Sequence, residues 1–126
     1  MDYNNFIGQV QHRAHLPDTE HAVKSTRAVL QTLGERLFDG ESSDLAAQLP
    51  DEIGYYIKVA EGDAKYSLEQ FYQKVANREN VEMQDAIHHT KAVMSVLCEA
   101  VSGGELQDVG CQLPSEYSEI FEKQWS

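Results

Sequence analysis

Residues 19–37 read Thr19-Glu20-His21-Ala22-Val23-Lys24-Ser25-Thr26-Arg27-Ala28-Val29-Leu30-Gln31-Thr32-Leu33-Gly34-Glu35-Arg36-Leu37. Residues 83–101 read Met83-Gln84-Asp85-Ala86-Ile87-His88-His89-Thr90-Lys91-Ala92-Val93-Met94-Ser95-Val96-Leu97-Cys98-Glu99-Ala100-Val101. The first carries an apolar stripe at Ala22, Val23, Thr26, Val29, Leu30, Leu33 and Leu37; the second carries it at Ala86, Ile87, Thr90, Val93, Met94, Leu97 and Val101. Steps of three and four belong to one face of a helix and not to the alternation of a strand. Asp18 is a good N-cap, so the first stretch predicts a helix from about Thr19 to Phe38. At 1.5 Å per residue such a helix is ~30 Å long, the width of a small domain.

The two stretches stand 64 residues apart, and the match continues outward at that offset. Glu35 falls on Glu99, Gly40 on Gly104, Glu41 on Glu105, Asp44 on Asp108, and Gln48-Leu49-Pro50 on Gln112-Leu113-Pro114. Upstream, one residue of slippage aligns Phe6 with Phe71, Val10 with Val75 and Arg13 with Arg78. The pattern predicts an all-α chain of two tandem helical repeats of about 64 residues, packed as one pseudo-two-fold domain over 1–126. Repeat one is 1–60, the linker 61–65 and repeat two 66–126. Two copies suit a symmetric pair better than an open solenoid, which needs at least three units to bury its core.

Each repeat reads as four helices. Ser67 with Gln70 forms a capping box, and Asp2 caps the equivalent first helix. Gly40 and Gly103-Gly104 are expected to end the long helices as left-handed caps. A short third helix follows, with Glu41 and Asp44, or Glu105 and Asp108, in its first turn, where the helix dipole favours acids. Pro50 and Pro114 open the fourth, which carries Ile53, Tyr56 and Ile57, or Tyr117, Ile120 and Phe121. Cys98 and Cys111 align with Gly34 and Ala47 and are expected to be buried reduced thiols.

The run Thr26 to Leu37, followed by Gly40-Glu41-x-x-Asp44-Leu45-Ala46-Ala47-Gln48-Leu49-Pro50, resembles the bacterial domain-of-unknown-function family 2267. Its echo from Val101 to Pro114 is similar to the family's second half, although Gly110-Cys111 replaces Ala46-Ala47. The resemblance implies a duplicated all-helical bacterial domain and brings no activity with it.

Composition bounds the partners. The net charge of −11 excludes nucleic acid and anionic membrane surfaces as natural partners, since both are met by clustered Lys and Arg. No stretch approaches the ~20 apolar residues that span a bilayer. The N-terminal residues lack the basic and apolar regions of a secretory signal, so the expected compartment is the cytoplasm.

Candidate chemistry is thin. Asp85-x-x-His88 is one carboxylate–histidine pair where a di-iron bundle needs two, plus two more glutamates. His88 and His89 fall off the stripe and are expected at the surface, as are His12, His15 and His21. Gly103-Gly104 follows a helix and so lacks the geometry of a phosphate loop. No catalytic residue, cofactor or metal ligand is assigned.

The charge map carries the functional expectation. Residues 1–34 and 64–98 are each neutral, whereas 35–63 and 99–126 carry −6 and −5. The excess thus lies in the segments Glu35–Asp63 and Glu99–Glu122, the back half of each repeat. Clustered charge of one sign steers an opposite partner. The expectation is a non-enzymatic interaction or regulatory module with two equivalent acidic surfaces, at Glu41, Asp44 and Gln48 and at Glu105, Asp108 and Gln112, facing a cationic protein. The alternative is a small-ligand or metal-binding protein with a pocket between the repeats.

Overall fold

The computed structural model describes residues 1–62 and 64–121. The acidic segments therefore end, at Asp63 and Glu122, on residues outside the described ones. The first half holds α1 (Tyr3–Arg13), α2 (Thr19–Arg36), α3 (Glu41–Ala46) and α4 (Asp51–Lys58). The second holds α5 (Leu68–Glu79), α6 (Met83–Ala100), α7 (Gly103–Cys111), a 3₁₀ turn (Ser115–Tyr117) and α8 (Ser118–Phe121). No strand occurs among the described residues.

Local chemistry starts the helices where the sequence places their caps. Asp2 Oδ1 accepts from Asn5 N at 2.8 Å, and Asp18 Oδ1 from His21 N at 2.9 Å. Ser67 and Gln70 close both arms of the capping box, at 3.1 and 2.8 Å. Each such cap satisfies an orphan amide and contributes about 1 kcal/mol.

The stops are different from those expected. Both long helices end without glycine, on the extended residues Leu37 and Val101. Gly40 is left-handed (φ 77°), but it is the N-cap of α3 and not the C-cap of α2. Gly103 and Gly104 open α7 behind Ser102, whose hydroxyl accepts from Glu105 N at 3.2 Å. The reason is that Ser102 is a better helix initiator than the glycines after it are terminators. The glycine pair therefore lies in the first turn of a helix.

Packing crosses between the halves. α2 and α6 touch, α1 lies on α6 and α5 on α2, and α3 meets α7; within the halves α4 covers α2 and α8 covers α6. The core is continuous, and Val29, Leu30, Leu33, Leu37, Val93, Met94 and Leu97 are wholly buried in it, with Val101 nearly so. At Gly34 α2 meets α4 closely: a Cβ added there would collide with the Ile57 carbonyl oxygen. Both cysteines are free; Cys98 is half-buried, while Cys111, expected inside, is exposed at the end of α7.

Two ion pairs stitch the halves. Arg13 donates to Glu99 Oε1 at 2.8 Å and to Ser95 Oγ at 3.1 Å. Arg78 donates to Glu35 Oε2 at 2.5 Å and to Thr32 Oγ1 at 2.8 Å. No helix among the described residues is long and apolar enough to cross a membrane.

Candidate functional site

The six residues singled out by charge and repetition come together in one place, where α3 meets α7, and they divide into three kinds. Gln48 and Gln112 are structural. Gln48 Oε1 accepts from Ser102 N at 2.7 Å, and Gln112 takes both Phe38 N and Phe38 O at 3.0 Å. Each glutamine thus ties down the backbone just after the long helix of the other half. Their amide groups are thus engaged by backbone of the other half, although Gln48 is exposed and Gln112 half-buried.

Glu41 and Glu105 also depart from expectation. In place of two separate acidic faces, the structure sets these two carboxylates against each other. Glu105 is 8% exposed, and its Oε2 is buried without a hydrogen-bond partner. Glu41 is half-buried, and its Oε1 is likewise unpartnered. Burial first, and then hydrogen bonding and repulsion from Glu105, push the Glu41 carboxyl up to about 8, with Asp108 and Asp44 adding to the repulsion. Asp44 and Asp108 are exposed, and Asp108 completes a group with Glu41 and Glu105. Chemically, such a group can hold a shared proton or a cation.

A second polar cluster lies between α2, α5 and α6. Ser25 donates to Glu79 Oε1, and His89 Nδ1 lies 3.0 Å from the same oxygen and 3.5 Å from Ser25 Oγ. His89, expected at the surface, is only 9% exposed. A signal was present: His89 sits three residues after Ala86 and four before Val93, so it continues the stripe. A nucleophilic triad places histidine between serine and carboxylate. Here the carboxylate is in the middle and Ser25 is 1% exposed, so the cluster lacks that geometry. Next to it, His88 stacks on His15 with ring centroids 5.8 Å apart. Burial, then His89 and His15, lower the His88 pKa.

The sequence reading passed over one surface. Tyr55 and Val59 on α4 are 62% and 60% exposed. Tyr55 lines an open groove of about 300 Å³ with Ser43, Ala46, Ala47, Asp51, Gly54 and Lys58. Gly54 makes the groove floor close-packed, since a Cβ there lies 2.7 Å from the Ala46 carbonyl oxygen. On the other side Tyr55 meets Asp51, Glu52 and Tyr56. Its position off the apolar stripe of Ile53, Tyr56 and Ile57 was the available signal.

The family described as "Uncharacterized conserved protein (DUF2267)" matches residues 3–120, nearly the whole chain. The chain belongs to this family. No curated protein matches it. The DUF2267 chain is all-helical, as the resemblance implied, and membership adds no activity to the geometry above.

Proposed function

We propose that this DUF2267 protein is a non-enzymatic interaction module, built from two like helical units about an approximate two-fold axis, whose α3–α4 face receives a cationic protein segment. Contacts that recur at the sequence offset support the architecture. Arg13–Glu99 answers Arg78–Glu35, and Gln48–Ser102 answers Gln112–Phe38. Ser25 and His89 face each other, as do Glu41 and Glu105, and each pair is 64 residues apart.

The exposed Tyr55 beside the groove carries the docking reading. Tyrosine is a frequent anchor of interfaces because it buries a large rigid area at low entropic cost. Asp51, Glu52 and Asp44 are exposed around it and supply the rim that attracts Lys and Arg. Among the described residues, Lys58 is the one cation lining the groove.

Affinity capture from the native cell, with the wild type and with an Asp51→Asn, Glu52→Gln, Tyr55→Ala variant, tests the proposal. The expected result is a partner with a basic segment that binds the variant at least tenfold more weakly and is released as salt rises. A partner held equally by both forms, or one held without salt dependence, overturns it.

A further inference from the structure

We infer that Glu41, Glu105 and Asp108 form a site for one hard divalent cation of the magnesium, calcium or manganese class. One oxygen from each carboxylate lies within 4.8 Å of the others. Oxygens ligating one such ion at about 2.0–2.6 Å stand at separations up to roughly that value. The donor set contains only carboxylates, which suit these ions over zinc or copper.

The second observation is the buried, unpartnered oxygen. Glu105 is more than nine-tenths buried, and its Oε2 faces no donor. Glu41 Oε1 is in the same condition across from it. A buried carboxylate without a partner costs several kcal/mol and calls for one. Arg13 and Arg78 are engaged by Glu99 and Glu35. Ser102 holds the Glu105 amide and Gln112 fixes the chain before α3, so the carboxylates are carried on anchored backbone. Asp108 is exposed and opens the site to solvent, leaving room for water in the remaining coordination positions.

Titration of the full chain with Mn²⁺, followed by electron paramagnetic resonance, tests the site. One Mn²⁺ per chain, displaced by excess Mg²⁺ or Ca²⁺, is expected. Asp108→Asn should weaken it at least tenfold, and because Asp108 is exposed the variant keeps its fold, checked by circular dichroism. Asp51→Asn, Glu52→Gln should leave it unchanged. The inference is overturned by an absence of saturable binding, which leaves only a shared proton, or by equal binding in Asp108→Asn. Partner capture repeated in chelator separates the two proposals: a partner retained there leaves the docking face standing whatever the metal result.

Discussion

The two halves of this protein carry the same stripe and the same acids, and they use them unequally. In the first half, α4 lies so close to α2 that only glycine fits at position 34. In the second, Cys98 occupies the aligned position, and its sulfur lies 3.9 Å from the Phe121 carbonyl oxygen, where the first half has Gly34 against Ile57. The outer helix changes accordingly. α4 is α-helical from Asp51 on, whereas its counterpart opens with the 3₁₀ turn Ser115–Tyr117 before α8 begins. Their surfaces diverge as well. Tyr55 stands exposed, while Glu119, which aligns with it, accepts from Tyr72 at 2.5 Å. Burial first, then Glu119, raises the Tyr72 pKa. On the proposed two-unit reading, the inner helices are held alike by the shared core, and the outer ones are free to differ. A docking face on α4 alone fits that division.

Five measurements break or sharpen this comparison. Leu33→Ala and Leu97→Ala should each cost about 2–5 kcal/mol of unfolding free energy by denaturant titration. The two losses should be similar, because both side chains are wholly buried. A large inequality breaks the claim that the inner helices are equivalent. Gly34→Ala should cost about 1–3 kcal/mol through overpacking against α4. Cys98→Ala should stay within about 1 kcal/mol, since the second half already accommodates a side chain there. Equal costs would show that α4 and α8 are packed alike.

The stitching ion pairs come next. Arg13→Met and Arg78→Met should each lose about 1 kcal/mol, somewhat above the exposed-pair range because both pairs are partly shielded. Then comes pH. The Glu41 pKa is raised on folding from 4.5 to about 8, so the folded state binds the extra proton. The stability this gives is complete below pH 4.5 and is lost as pH rises to about 8. Glu105, Asp108 and Asp44 are the charged groups facing it. Wild-type Tm in chelator should fall across that window by more than Tm of Glu41→Gln, and a divalent cation should restore it at the upper end. Parallel profiles for the two proteins would remove Glu41 from the account. The smallest effect is expected for Tyr55→Ala, within about 0.5 kcal/mol, because an exposed ring contributes little to folding.

Much of this was legible in the residues. Periodicity and the Asp18 cap gave α2 to within two positions, since the cap is unambiguous and the stripe is long. The all-helical class followed from the same pattern. The helix stops were misread because a glycine can end one helix or precede the next, and Ser102 decided between them. The acidic site was found as residues but not as a site. Charge counting lists Glu41 and Glu105 as equivalents, yet only the packing of α3 on α7 turns equivalents into neighbours. The same holds for Gln48 and Gln112, whose amides hold backbone of the other half, a pairing that only the packing reveals. Glu79 was invisible because its partners Ser25 and His89 lie on two other helices.

The segment of chain between α4 and α5 has one further consequence. Because α1 rests on α6 and α5 on α2, each half completes its core with helices from the other, and the connector acts as a tether. It replaces an encounter in solution by a local concentration on the order of millimolar. A chain severed near Gly62 should therefore remain one particle in concentrated solution and come apart into unfolded fragments on dilution, so that its melting temperature acquires a dependence on protein concentration that the intact chain lacks.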